Sequence, residues 1–183
     1  LDIDQAYLDT GTPSGSTAAM CVVRPPAAAA GGKYRIHVIN AGDSRVLLSR
    51  ADGTIVDGGG TDAGLTIDHK PDNPDERERI YRCGGTVEVA MGGVHRVNGD
   101  LAVSRGFGDA TYKQTGGPGL EDRPVTANPE MGHFECDASD FILVVCDGVS
   151  EGNFPNPEVC QLAARVLDET GGDAAAACKA VCA

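Results

Sequence analysis

The segment that most restricts what this chain can fold into is Phe141-Ile142-Leu143-Val144-Val145, an unbroken apolar run between Asp140 and Cys146-Asp147-Gly148. So short a run, rich in branched residues and closed by a turn signal, predicts a strand buried on both faces. A strand of that kind requires packed layers around it.

The other elements follow from period and punctuation. Ser16 to Val23 reads as an apolar strand, Tyr34 to Asn40 alternates apolar and polar residues, and Arg45 to Arg50 is a second extended run. Ala41-Gly42-Asp43-Ser44 between them is hairpin material, and Asp52-Gly53 is the next turn signal. Asn73 as N-cap and Pro74 at the first position open a helix that stops at Gly84-Gly85. Short strands are expected at Thr86 to Ala90 and Val94 to Val97. Asn156-Pro157 repeats the helix start, Glu158 to Thr170 is helical up to Gly171-Gly172, and a last helix runs from Asp173 to Ala183. Hairpin turns argue antiparallel pairing, and the helices come in pairs rather than after each strand, so an α+β layered fold is expected and a doubly wound sheet is not. At roughly 150 residues per domain, the length suits one domain.

Charge narrows the function. With 15 basic and 27 acidic residues the formal net charge is −12, and Arg24, Arg35, Arg50, Arg96 and Arg123 are scattered along the sequence, which argues against a nucleic-acid partner. An acidic surplus suits a protein that repels anions or gathers divalent cations. The seven cysteines include no Cys-x-x-Cys pair, so buried free thiols in a reducing, cytoplasmic or nuclear setting are expected. No segment reaches the ~18 apolar residues of a membrane helix, no basic-then-apolar leader is present, and no membrane partner is expected. A chain that begins at Leu1 reads as a piece excised from something longer.

Two chemistries compete after the apolar strand. Gly148-x-Ser150-x-Gly152 matches a nucleophile elbow, but Asn153-Phe154-Pro155-Asn156-Pro157 forbids the helix that must follow, and His37, His69, His95 and His133 all precede the serine. The other candidate is Asp147: a carboxylate at the mouth of an apolar strand is costly unless compensated, and a divalent cation compensates it through oxygen coordination. Glu151 is placed to reach back to the same cluster. Asp147-Gly148 is equally an ordinary strand-end turn, and Asp43 an ordinary hairpin residue.

Order and company add to these weak signals. The motifs are Gly15-Ser16-Thr17-Ala18, Asn40-x-Gly42-Asp43-Ser44-Arg45, and Asp68-His69-Lys70-Pro71 with Glu76-Arg77-x-x-Ile80 and Gly84-Gly85. They continue with Arg96-Val97-Asn98-Gly99-x-Leu101-Ala102-Val103-Ser104-Arg105-x-x-Gly108-Asp109, Pro129-Glu130 and Asp147-Gly148. In this order, from about Ser14 to Ala183, the series resembles the metal-dependent Ser/Thr protein phosphatases of type 2C.

The resemblance implies a four-layer αββα sandwich, two packed antiparallel sheets flanked by helix pairs, here incomplete. It implies hydrolysis of phosphoserine and phosphothreonine in a phosphorylated protein substrate, by a water bridging two Mn²⁺ or Mg²⁺ ions. Hard oxygen ligands suit these ions. By position, Asp147 matches the first Asp of the family's Asp-Gly-x-x-Asp, a ligand of the catalytic pair. Asp43 matches the Asp of Gly-Asp-Ser, a ligand of a third metal, and Glu151 stands where a further Asp ligand is usual, with one methylene more. Arg105 falls near the substrate side in some relatives and is equally placed to pair with Asp109 or Glu130. His69 is expected to be structural, and Gln114 to Ala127 falls where the family carries a variable flap. The family's upstream Asp-Gly-His-Gly-Gly, an earlier phosphate-gripping Arg and a downstream Asp-Asn have no counterpart here. The resemblance therefore implies a catalytic domain cut at both ends, monomeric, inactive alone, and active in its parent. The alternative is a non-catalytic relative that serves as a binding or regulatory module.

Overall fold

The computed structural model describes residues 2–26, 32–119, 121–150 and 154–183. In chain order the elements are α1 (Asp2–Leu8), β1 (Gly15–Ser16), β2 (Ala18–Arg24), β3 (Tyr34–Ala41), β4 (Arg45–Ser49), α2 (Pro74–Arg82), β5 (Val87–Val89), β6 (His95–Val97), β7 (Phe107–Gly108), β8 (Glu130–Cys136), β9 (Phe141–Val145), α3 (Asp147–Ser150), α4 (Asn156–Thr170) and α5 (Ala174–Val181). The mixture is α+β, and β1–β7, β4–β9 and β5–β6 pair antiparallel. The chain divides into two compact units. One comprises the chain up to Ala18, Asn40–Asp43 and Asp68–Glu130; the other comprises Ala19–Ile39, Ser44–Ile67 and Met131–Ala183.

The second unit is built in layers. Its three-stranded sheet has the order β2-β3-β8, and its two-stranded sheet pairs β4 with β9 from Arg45↔Val145 to Ser49↔Phe141. Ile36 and Val38 of β3, Val46 and Leu48 of β4 and Cys136 of β8 form one buried cluster, joined by Ala19, Cys21, Phe134 and Ile142, so the two sheets pack face to face. The opposite face of β4–β9 presents Leu47, Leu143 and Val145 to Val159 and Cys160 of α4 and Val181 of α5. The buried stripe Val159, Cys160, Ala163, Ala164 follows the helical period. Each large side chain taken fully from water here contributes about 1.5–3 kcal/mol relative to exposure.

Several expectations are corrected. β3 and β4 are not a hairpin: β3 lies between β2 and β8, while β4 pairs with β9. The linking turn instead carries Gly42 at φ +123°, where a Cβ would stand 2.3 Å from Thr17 Cγ2. Of the two strands in the β4–β9 pair it is β4 whose every residue is buried, whereas Val144 in β9 is 52% exposed; the far edge of β4 is covered by the chain that follows it, the Val56 and Leu65 amides donating to the Leu48 and Val46 carbonyls at 2.8 Å. Asn73 and Asn156 do not cap their helices through their side chains. Asn73 Nδ2 donates to the Asp68 carbonyl at 2.6 Å, and buried Asn156 donates to the Thr61 and Asp62 carbonyls at 3.1 and 2.9 Å. Asp173 does cap α5, accepting from the Ala175 and Ala176 amides. All seven cysteines are free, but Cys146, Cys178 and Cys182 are exposed rather than buried; for Cys178 and Cys182 the reason is that α5 turns Ala177 and Val181 inward. The cations are less scattered than their numbering suggests: Arg24, Lys33 and Arg35 line one depression, because β2 and β3 are neighbours. Helix α1, strands β7 and β8 and helix α3 have no counterpart among the elements expected from the sequence; β8 alternates exposed and half-buried positions around Gly132, a weak strand signal.

The first unit has a small apolar cluster, Ile80, Val97 and Val125 with Val87, Leu101 and Tyr112, beside a buried charge network. Glu76 of α2 accepts from Arg79 Nη1 at 2.8 Å, from Arg105 Nη2 at 2.6 Å and from the Ser104 hydroxyl. Arg79 Nη2 also donates to the Ser104 carbonyl at 2.7 Å, and Arg105 Nη1 to the Asn128 carbonyl at 3.1 Å. Burial pushes the Glu76 carboxyl up, but hydrogen bonds from Arg105 and Ser104 and the charge of Arg79 outweigh it and hold the pKa at about 2. A second buried pair joins Lys113 to Asp4 at 2.9 Å, with Asp4 Oδ1 also accepting the Gly108 amide.

Removing one partner of such a network strands the others, so Glu76→Gln is expected to cost about 3–5 kcal/mol in urea unfolding near neutral pH. Because the folded-state pKa lies below the unfolded value, the contribution is complete above about pH 4.5 and lost as pH falls toward about 2. The stability gap between the wild-type chain and the variant therefore narrows across that window; a gap independent of pH contradicts the assignment.

Candidate functional site

Asp43 follows the β3 strand at a tightly tied turn. The His69 amide donates to the Gly42 carbonyl at 3.0 Å, and Asn40 Nδ2 donates to the same oxygen at 3.1 Å. His69 Nδ1 lies 3.1 Å from both the amide nitrogen and the carbonyl oxygen of Gly42, and Nε2 lies 3.3 Å from a Glu130 carboxylate oxygen. Burial lowers the His69 pKa, and the charge of Arg105 lowers it further, so the ring is neutral at pH 7. His69 is the structural histidine the sequence implied. Its carbonyl in turn accepts the Ser104 amide at 2.9 Å and the Ser104 hydroxyl at 3.0 Å. Ser104 thus joins the Asp43 turn to the Glu76 network.

The Asp43 side chain is buried, and Lys70 Nζ donates to its Oδ2 at 2.7 Å. A buried carboxylate without a counter-charge would be unfavourable by several kcal/mol; Lys70 supplies that charge. Asn40, Gly42, Asp43, Asp68, His69, Lys70, Glu76, Ser104, Arg105 and Glu130 are dispersed through the sequence, yet all fall in the first unit. Sequence reasoning carried Lys70 and Glu76 only as letters within motifs. Their signal was the need of Asp43 and Arg105 for opposite charges.

Arg105 is committed. Its Nε and Nη2 donate to Glu76 and its Nη1 to Asn128, so its ion-pair partner is Glu76 rather than Asp109 or Glu130. Asp109 sits in the left-handed region at φ 53°, its carboxyl pushed up by burial and by the charge of Asp4 against the opposing pull of Lys113. Segment Gln114 to Ala127, apart from Leu120, which lies outside the described residues, holds no regular helix or strand and is pinned to α2 by Arg82 and Asp122 at 2.6 Å.

Asp147 belongs to the second unit and opens the short helix α3, exposed, with its Oδ1 accepting the Gly148 amide at 2.8 Å. The strand-end position thus leads into a helical turn. Glu151 lies outside the described residues. The carboxylates of Asp43 and Asp147 are the hard oxygen donors that Mn²⁺ or Mg²⁺ takes, so the donor type fits. The number does not: among the described residues no group of three or more His, Cys, Asp or Glu side chains could hold a metal ion. No reaction step is therefore assigned to a metal on this geometry.

Comparison with known proteins places this arrangement in a family. The family model described as protein phosphatase 2C matches residues 3–183. Protein phosphatase ppm-1.G of Caenorhabditis elegans is 36% identical over 173 residues, covering 94% of this chain and 30% of its own length. Probable protein phosphatase 1N of Mus musculus is 41% identical over 140 residues, covering 76% of this chain and 30% of its own. A crystal structure of a phosphatase from a pathogenic strain of Toxoplasma gondii superposes with a TM-score of 0.79 at 28% identity, over 99% of this chain and 66% of that one. The chain thus spans about a third of the length of the curated relatives it matches. With the family model matched over nearly its whole length, the chain belongs to the protein phosphatase 2C family.

Proposed function

We propose that the protein of which this chain forms part hydrolyses phosphoserine and phosphothreonine in proteins, with dependence on Mn²⁺ or Mg²⁺. The observation that carries this reading is the convergence of the family's separated motif residues on one buried carboxylate, Asp43, held by Lys70 and by a turn tied through Ser104 to Glu76. A binding module under no catalytic constraint has no need of a buried acid balanced in this way, since an apolar pair of similar volume is often as stable.

Within that function, Asp43, Asp147 and Glu151 are the carboxylates assigned to metal. A bound divalent ion would supply an acidified water and neutralise phosphoryl oxygens. The chain's own contribution is to hold the Asp43 side chain fixed beside Lys70. Arg105 acts as a positioning residue, because its guanidinium is spent on Glu76 and Asn128. Segment Gln114 to Ala127 is assigned to substrate choice through its largely exposed first part, carried on the buried stretch Pro124 to Ala127 as a rigid support. Free thiols, several of them exposed, support a reducing compartment, cytoplasmic or nuclear.

For the purified 183-residue chain the expected outcome is no Mn²⁺-stimulated hydrolysis of p-nitrophenyl phosphate above background. EDTA-sensitive turnover by the chain alone would overturn that. In the parent protein, Asp147→Asn is expected to lower kcat by at least about a hundredfold, since loss of a charged ligand commonly removes several kcal/mol of transition-state stabilisation. Unchanged kcat refutes the role of Asp147, and a parent with no turnover at all returns the protein to the binding-module alternative.

A further inference from the structure

Two buried acids of the first unit meet a lysine, and they are held differently. Asp4 is saturated: Lys113 Nζ donates to both of its oxygens at 2.9 Å, and the Gly108 amide donates to Oδ1 at 2.7 Å. The same ammonium also donates to the Gly106 carbonyl at 2.8 Å. Asp43 is not saturated. Lys70 Nζ donates to its Oδ2 at 2.7 Å, and among the described residues Oδ1 accepts no hydrogen bond. Backbone geometry sets this pairing. The His69 amide on the Gly42 carbonyl brings residues 42–43 beside 69–70, and the Asn73 amide on the Lys70 carbonyl closes the turn that follows. Lys70 is thus built against the acid assigned to metal, and it takes one oxygen of that acid while leaving the other.

We propose that Lys70 limits the affinity of Asp43 for a divalent ion. The proposal rests on the metal-dependent phosphatase reading above and adds to it the residue that sets metal strength at one ligand. A carboxylate carries a single negative charge, and here an ammonium already draws on it. A Mn²⁺ or Mg²⁺ ion on Oδ1 would share that charge with the Lys70 ammonium on Oδ2, and two cations on one acid repel each other. Water screens the repulsion poorly, because the Asp43 side chain is buried. An uncharged donor would hold the acid in place without opposing the ion, as the Gly108 amide helps to hold Asp4. Holding the acid and weakening the ion are therefore separable. Lys70→Gln keeps a donor for Oδ2 and removes the charge, whereas Lys70→Arg keeps the charge.

The test is a Mn²⁺ titration of the full-length parent, with free Mn²⁺ read by electron paramagnetic resonance. Wild type is compared with Lys70→Gln, Lys70→Arg, Asp43→Asn and the double variant Asp43→Asn/Lys70→Gln. At the Mn²⁺ site that Asp43→Asn removes, Lys70→Gln is expected to tighten binding at least about tenfold, as loss of a like charge at close range warrants. Lys70→Arg is expected to bind as wild type does, and Lys70→Gln to change nothing when Asp43→Asn is present. Unchanged or weaker Mn²⁺ binding by Lys70→Gln overturns the proposal and leaves Lys70 a positioning residue. So does equal tightening in the Asp43→Asn background, or an Asp43→Asn variant that loses no Mn²⁺ site. The thermal midpoint guards against loss of fold. Where Lys70→Gln lowers it in EDTA, Mn²⁺ is expected to raise it by more than in wild type, since an ion that binds only the folded state stabilises that state. A variant that gains no more than wild type from Mn²⁺ contradicts the proposal. Hydrolysis is not the readout, so the two readings fail separately: a wild-type parent that binds Mn²⁺ but hydrolyses nothing sinks the phosphatase reading alone.

Discussion

The Glu76 carboxylate is the fixed point of the first unit. It is buried, ionised, and shared among Arg79, Arg105 and Ser104. Through Arg79 it reaches the Ser104 and Pro124 carbonyls, through Arg105 the Asn128 carbonyl, and through Ser104 the backbone of His69. His69 bears on the Gly42 turn that presents Asp43. A network of this kind gains little net stability over an apolar core of the same volume, but it is intolerant of partial satisfaction. That intolerance gives the Asp43 carboxylate a single position relative to Lys70.

The second unit reaches definition by a different route. Its two sheets and α4–α5 are held by apolar layers, with β4 buried along its whole length between them. Polar atoms enter mainly as clips, such as Asn156 on Thr61 and Asp62, and Arg45 on Asn156.

Much of this organisation was legible in the sequence, for identifiable reasons. Period-two alternation located β3, proline after asparagine located the starts of α2 and α4, and glycine pairs located their ends, because each signal is local. What depends on pairing was not legible. Nothing near Ala41 to Ser44 says that β3 and β4 belong to different sheets, since that choice is made by β8 and β9 far along the chain. The apolar run 141–145 announced a strand but not that its neighbour β4 would be the more deeply covered. At the site, Asp43 was visible through its motif, whereas the dependence on Lys70, Glu76 and Ser104 is a matter of charge balance in three dimensions. The meeting of Arg24, Lys33 and Arg35 was hidden likewise, because sequence spacing does not reveal which strands are adjacent.

A double-mutant cycle joining Glu76 to Arg105 bears most directly on the claim that the buried network, and not apolar packing, fixes the Asp43 turn. Glu76→Gln, Arg105→Gln and the double variant would be compared by urea unfolding near neutral pH. The account predicts a coupling energy above about 1 kcal/mol, the double variant being less destabilised than the sum of the single ones. Additivity within about 0.3–0.5 kcal/mol would contradict it, since independent sites add to that precision.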